Sequence, residues 1–362
     1  MSLRGTLAAA VDALEPRPRL VDWSLFALVA AETVTGLVSF TVGTPSGWPV
    51  FWLHRVLGVP ILALLAFKLA RVRGNLANPG NWRPTTLLSV ATALLAVGAV
   101  ATGAAWVFGV DVRVSYWSLL SVHVAFGLVL LAVVPVHAAT RFRPLRRRDV
   151  EGRRSALRYT GLFVAGAVAY RAQEAANAAL ETAGADRRWT GSQPRDGDGN
   201  DAFPVTSWVA DDPAPVDRSD YRLSVAGRVE TPLEVAVDDV DAGDETRALL
   251  DCTSGWYTEQ DWCGVRVGDL LESAGGATDG AAWVRFVSVT GYRWSLPVEE
   301  ARDALLATQV GGERLTHGHG APVRLVAPGR RGFQWVKWVT RVEVRARRDP
   351  AQWVVTLVSG FD

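Results

Sequence analysis

Apolar residues crowd the first part of the chain and alternate with polar ones in the last. Four nearly unbroken apolar segments, roughly 20–43, 49–70, 85–109 and 116–140, each reach or exceed the ~20 residues a helix needs to cross a bilayer. The first is too long for a cleaved signal peptide, and three more spans follow it. A shorter apolar run at 159–170 (YTGLFVAGAVAY) reads as a fifth helix, either spanning or lying re-entrant or interfacial. From 175 to 212 the pattern lapses, and GSQPRDGDGNDAF, polar and rich in Gly and Asp, reads as a linker. Beyond it the period becomes two. YRLSVAGRV, WVRFVSVTGYRWSL and VKWVTRVEVRA predict strands, an acidic segment after Trp256 leads into CGVRVGDLLESAG, and that stretch and PVEEARDALLA predict short helices. The pattern divides the chain into a helical bundle of four to five helices over 1–175, a linker over 176–200, an α+β domain over 201–350 and a tail over 351–362.

Charge sharpens this division. The whole chain carries +1, but residues 1–184 hold 18 basic and 9 acidic residues, a net +9, and residues 185–362 hold 20 basic and 28 acidic, a net −8. The arginines of the first half flank apolar segments, which excludes a nucleic-acid patch. Arg71, Arg73 and Arg83 fall in one connection, and Arg141, Arg143, Arg146, Arg147 and Arg148 follow the fourth segment. The TPSGW connection between the first two segments is uncharged. The positive-inside rule then puts the N-terminus, the 71–84 loop and the 141–158 segment in the cytoplasm. Arg153-Arg154-Ser155-Ala156-Leu157-Arg158 resembles a twin-arginine export signal set inside the chain, with Ala156 where Phe is usual. The same charges also suit plain cytoplasmic anchoring. Export would place the second half outside the cytoplasm, on a multi-pass cell-membrane protein.

Histidine is scarce, with five in the chain, and three of them (His54, His123 and His137) lie inside the apolar segments. An imidazole in lipid is costly and marks a site. His54 and His123 fall at similar depth near the outer face, as expected of the axial ligands of a haem b. His123 and His137 are 14 residues apart, about 21 Å along one helix, a spacing that resembles the two-haem arrangement of membrane cytochromes b. The matching position in the second segment is Lys68, not His. Glu32, deep in the first segment, reads either as a proton carrier or as the partner of a neighbouring polar side chain.

The chemistry of the second half gathers around LDCTSGWYTEQDWCGVRVGDLL, residues 250–271. A thiol that ends an apolar run just before a Ser-Gly turn is held rigidly, which suits a soft-metal ligand or a nucleophile. A lone buried Cys is more often a small hydrophobe. Cys252 and Cys263 are the two cysteines, so a disulfide between them is the alternative in an exported domain.

Together with HGHGAPVRLVAPGRRGFQWVKWVTRVEV, residues 317–344, this stretch resembles the molybdopterin-binding domain of the sulfite oxidase family. The resemblance covers about 200–348. It implies that Cys252 binds molybdenum and that His319, Arg324 and Lys337 hold the pterin and its phosphate; Arg330 and Arg331 would add to the cradle, with Gly332 allowing close backbone approach. Lys337 is one of two lysines in a chain that otherwise uses arginine, as expected where a compact charge is wanted. Tyr257 and Tyr292 are candidates for the substrate pocket or for core aromatics. The CTSGW context lacks the CxGNR run of well-known sulfite oxidases, which leaves both sulfite and sulfoxide classes open. The expectation is a membrane-anchored molybdopterin oxidoreductase that exchanges an oxygen atom with a small substrate and passes electrons through haem to or from a quinone. A haem-free anchor served by a soluble carrier is the alternative, and a domain kept only for binding is a third.

Overall fold

The computed structural model describes residues 17–114, 117–141, 143–146, 149, 153–207, 211–240 and 243–359. They form two compact units, one from 17–39 with 45–193 and the other from 40–44 with 194–359. The N-terminal 16 residues, Tyr116, Arg147 and Arg148, all used in the topology above, lie outside the described residues, as does the side chain of Arg154.

The first unit has five long helices: α1 (Pro18–Ser39), α2 (Trp48–Leu76), α3 (Pro84–Val107), α4 (Leu119–Arg141) and α5 (Arg153–Ala179). Proline in the first turn of α2 and of α3 supplies a preset φ where no amide donor is missed. The first four helices are long and apolar enough to cross a membrane. Large side chains such as Val34, Leu87, Leu94 and Val136 stay mostly exposed, as on helices whose outer surface lipid covers. α1 packs on α2, α3 on α4, and α5 on α2. The run at 159–170 is no separate re-entrant piece but the middle of the continuous α5. The polar end of α5 is used for docking, since Asn177 donates to the Val107 carbonyl at 2.8 Å. Lys68 is ion-paired, its Nζ 3.0 Å from Asp22, which also takes Arg71 at 3.4 Å.

The second unit is built on two sheets. In one, β3 (Asp244–Asp251) and β4 (Trp256–Arg266) form a long hairpin, and β7 (Leu305–Val310) lies on the far side of β4. The short β8 (Glu313–Arg314) and β9 (Arg324–Val326) pair with β7. The other sheet runs β2 (Leu233–Ala236), β1 (Arg222–Gly227), β10 (Val339–Arg345), β5 (Trp283–Ser288), β6 (Arg293–Pro297), antiparallel except for the β1–β10 pair. Short helices α6 (Val267–Ser273), α7 (Val298–Asp303) and α8 (Gln352–Val358) complete it. Trp262, Trp294, Trp338 and Phe286 are wholly buried in or beside its core.

The structure corrects three readings. WYTEQDWCGVR is strand, not an acidic lead into a helix. Trp256, Thr258, Gln260, Trp262 and Gly264 face inward while Glu259 and Asp261 face out, a period of two, and helix α6 starts only at Val267. The helix expected over PVEEARDALLA stops at Asp303, because Leu305–Val310 fill a central strand. The polar stretch read as a linker is docked in its second half. Asn200 is buried, donates to Glu313 and to the Arg314 carbonyl, and accepts from the Thr316 amide at 3.0 Å. Gln260 binds the Gly199 amide and the Gly197 carbonyl. Short polar side chains here satisfy backbone groups that no strand pairs.

Asp349 ties α8 to the second sheet. It accepts from Arg285 at 2.9 Å and from Arg293 at 2.5 Å, and burial, which alone would raise its carboxyl, is outweighed by these arginines, so its pKa is lowered. Asp349→Asn is expected to cost about 2 kcal/mol, read as a fall of several degrees in the melting temperature of this unit by calorimetry. An unchanged melting temperature would show the network to be dispensable.

Candidate active site

The β3–β4 hairpin delivers the thiol. After Asp251 the chain turns, with the Cys252 amide bonded to the Trp256 carbonyl (2.8 Å) and the Gly255 amide to the Cys252 carbonyl (3.1 Å). Cys252 is 7% exposed, and its Sγ lies 3.2 Å from the Ser254 hydroxyl. Behind it, Arg331 pairs with Asp251 at 2.8 Å and donates to the Cys252 carbonyl at 3.4 Å. Gly332 packs so close that a Cβ there would sit 3.0 Å from the Cys252 Cα. Its smallness serves the backbone of the cysteine turn.

Around this thiol stand the residues of the second motif. His319 ends a short helical turn. Its Nδ1 is 2.8 Å from the Thr316 hydroxyl and its Nε2 3.2 Å from the Phe203 carbonyl, so both ring nitrogens are engaged. Arg324, at the start of β9, donates to the His319 carbonyl (2.9 Å) and lies over the Trp262 and Trp335 rings. Its Nε is buried without a hydrogen-bond partner. Lys337 donates to the Thr206 carbonyl (2.7 Å), the Ser207 hydroxyl (3.2 Å) and the Gly318 carbonyl (2.5 Å). Thr206 closes the ring, accepting from Trp256 Nε1 and lying 3.4 Å from the Ser254 hydroxyl.

Electrostatics tie these groups into one site. Burial pulls the Arg324 guanidinium down to about 10, partly opposed by Cys252. Burial, with Arg324 beside it, pulls Lys337 down to about 7, against the pull of Cys252 and Asp211. Burial, Arg324 and Lys337 bring His319 down to about 4. An arginine cation, a lysine balanced between its charged and neutral forms, and a neutral imidazole thus share a low-dielectric space with the thiol, and a buried donor has nothing to bind. That is a donor set suited to an anion.

Other expected residues go elsewhere. Tyr292 is buried and spends its hydroxyl on the Phe333 carbonyl at 2.5 Å. Tyr257 sits opposite Asp251 in the hairpin, its carbonyl taking the Arg195 amide. Arg330 pairs with Glu300. Cys263 lies in mid-β4, between Glu245 and Gln309, and neither cysteine is in a disulfide. Sequence reasoning missed Thr206, Ser207, Phe203 and the buried Asp211. They lie outside helix and strand at 203–207 and at 211, where no period or spacing singles them out.

In the helical unit, His54 and His123 meet. Their ring centroids are 6.0 Å apart and the planes nearly perpendicular, at 88°. His54 Nδ1 lies 2.5 Å from a Glu32 carboxylate oxygen and 3.0 Å from the Thr35 hydroxyl. His123 Nδ1 lies 2.7 Å from the Ala99 carbonyl. Gly103 admits the His123 ring, which would stand 3.0 Å from a Cβ there. His137 lies instead 3.5 Å from the Ser89 hydroxyl. No group of three or more His, Cys, Asp or Glu able to hold a metal ion occurs among the described residues.

The chain is similar to known proteins over the region that holds these residues. The family model described as the oxidoreductase molybdopterin-binding domain matches residues 210–353. An uncharacterized oxidoreductase of Bacillus subtilis, YuiH, is 31% identical over 157 residues, which is 42% of this chain and 78% of that protein. Mouse mitochondrial sulfite oxidase is 34% identical over 31% of this chain and 22% of its own length. The catalytic subunit MsrP of a protein-methionine-sulfoxide reductase from Xanthomonas campestris is 28% identical over 37% of this chain and 48% of its own. The chain therefore spans about half or less of those last two relatives. With its Cys252 turn and cationic wall set in the matched region, the chain belongs to the molybdopterin-binding oxidoreductase family and is a sulfite oxidase-like oxidoreductase.

Proposed function

We propose that Cys252 is the molybdenum ligand of a molybdenum–molybdopterin cofactor, and that Arg324, His319 and Lys337 hold its pterin and phosphate. The observation that carries this is the buried, unpartnered Nε of Arg324, grouped electrostatically with Cys252 and Lys337. An anionic phosphate would satisfy that donor. When bound, the cofactor supplies a two-electron exchange of an oxygen atom. The chain's own residues orient and protect it. Asp251 and Arg331 fix the thiol, Ser254 lies against the sulfur, and His319, neutral at pH 7 with both ring nitrogens bonded to Thr316 and Phe203, shapes the wall beside Arg324 without adding charge. Lys337 has its protons on protein oxygens, so it serves first to hold the 206–207 and 318 backbone together. Arg331 and Gly332 support the thiol, whereas Tyr257 and Tyr292 are weaker choices for substrate contact because Tyr292 already serves a carbonyl. The substrate is a small oxo compound of the sulfite or sulfoxide class, which the named activities of the two longer relatives support.

We further propose that His54 and His123 would hold the iron of a haem b, which would supply one-electron exchange with a quinone. Their rings face each other with centroids 6.0 Å apart, near enough for one iron to be held between them. The occupied Nδ1 atoms leave both Nε2 atoms for iron, and Glu32 supplies the carboxylate that commonly orients a metal-bound imidazole. His137 and Lys68, already engaged, make a second haem the weaker choice. In this reading the four spans make a multi-pass cell-membrane protein with its catalytic unit outside the cytoplasm. The second reading, a haem-free anchor served by a soluble carrier, differs in one visible property, the colour of the protein.

Two outcomes are expected. Full-length protein purified in detergent should hold about one molybdenum per chain and show a b-type reduced-minus-oxidised spectrum. His54→Ala should lose the spectrum and keep molybdenum, while Cys252→Ser should keep the spectrum and lose oxygen-atom transfer. Molybdenum without a haem spectrum would reduce the bundle to an anchor. The second outcome concerns pH. His319 titrates near 6.5 when unfolded and about 4 when folded, so between those values the unfolded chain binds the extra proton and stability falls as pH drops. In cofactor-free protein the melting temperature should decline from pH 6.5 toward 4, and less steeply in His319→Gln. Equal slopes would mean that the folded imidazole is not held neutral.

A further inference from the structure

One step along α2 from His54, Arg55 points into a second polar cluster of the helical unit. Its Nη2 donates to the Trp189 carbonyl at 3.0 Å, and its Cζ lies 6.0 Å from the centre of the Tyr170 ring. Arg187 faces the same space and interacts electrostatically with Arg55. The Arg187 side chain is 2% exposed. Its Nε donates to the Gly184 carbonyl (2.9 Å), its Nη2 to Glu174 (2.7 Å), and its Nη1 is buried with no hydrogen-bond partner. Two guanidiniums, one carboxylate and one phenol leave a net +1 and an orphaned donor. Like charges pressed together away from water are costly unless an anion answers them.

The same segment reaches the other imidazole's helix. Trp106 donates from Nε1 to the Gly191 carbonyl at 2.8 Å and is buried. Trp106 lies one turn beyond Gly103, the residue against which the His123 ring packs. Residues 187–191 therefore touch the residue next to His54 and the helix turn next to His123. The segment that carries Arg187 is thus tied to both of the helices that bear the imidazoles.

We propose that Arg55 and Arg187 form a carboxylate clamp for the propionate groups of the haem held between His54 and His123; this rests on the haem reading above. Each guanidinium presents forked donors that suit a carboxylate, and haem carries two carboxylates on one edge, on side chains long enough to leave the iron plane. Glu174 takes one side of Arg187 and leaves Nη1 for the ligand.

The test uses full-length protein made under haem starvation and titrated in detergent with haem b or with its dimethyl ester, whose propionates carry no charge. Axial coordination is read from the low-spin spectrum. Wild type should bind the ester about tenfold more weakly or worse, the scale of one charge-assisted contact. Arg187→Gln and Arg55→Gln should lose affinity for haem and narrow that gap, and Arg187→Lys should recover part of it. Haem and ester bound equally by wild type would overturn the clamp and leave the imidazole ligation standing. That result would assign the cation pair to a lipid phosphate or other anion. Uptake of neither by wild type would overturn the haem reading, and the clamp with it. The comparison of two ligands on wild type needs no variant, so misfolding of the glutamine forms cannot mask the result.

Discussion

The catalytic unit depends on one buried ion pair. Asp251 ends β3 and Arg331 precedes the 332–334 turn, and their contact at 2.8 Å joins the two motifs, which lie about eighty residues apart in sequence. Both side chains are almost wholly buried. Such a pair adds little net stability over an apolar one, but losing either member would strand a charge in the core. The pair therefore acts as a register pin. It fixes the backbone of Cys252 against Gly332, and through the Cys252 carbonyl it sets where the sulfur stands relative to Arg324 and Lys337.

From that pin the remaining geometry follows by packing. Trp262 in β4 lies under the Arg324 guanidinium and against Trp335, so the hairpin that delivers the thiol also supplies the face on which the arginine rests. The His319 carbonyl holds the other side of Arg324, and the imidazole edge packs on Phe203. A flexible cation would lose much rotamer entropy on binding a phosphate. Here that entropy is already lost in folding.

The sequence made the two classes of segment legible because each has a simple period. Four apolar runs of span length became α1 to α4, and the thiol turn and the HGH stretch stood out together through their resemblance to a known family. The β4 strand was misjudged because Glu259 and Asp261 lie on its solvent face; a strand with one wet face looks acidic unless alternate positions are read separately. The stretch around Asn200 was misjudged for a related reason. Gly and Asp suggest a linker, yet the Gly199 amide meets the Gln260 side chain of β4, and Asn200 meets the Glu313 carboxylate and the Arg314 carbonyl of β8, a relation visible only in three dimensions. Thr206, Ser207 and Phe203 were illegible for the same cause, since two act through backbone carbonyls that carry no residue signature.

The two units solve the same electrostatic problem in different media. In the β unit a buried arginine, Arg324, keeps Nε unpartnered beside a thiol; in the helical unit a buried arginine, Arg187, keeps Nη1 unpartnered in the cluster around Arg55, the neighbour of His54. Neither cation is balanced by the carboxylates around it. Asp251 is taken by Arg331, and Glu32 is taken by His54, which leaves Glu174 alone beside two guanidiniums. Folding such sites without their ligands is costly, and a bound anion returns that free energy as affinity. In the readings proposed above, the anionic edges of the cofactors would belong to the architecture of each unit: a phosphate would complete the core behind Cys252, and propionates would complete the polar cluster around Arg55, the neighbour of His54.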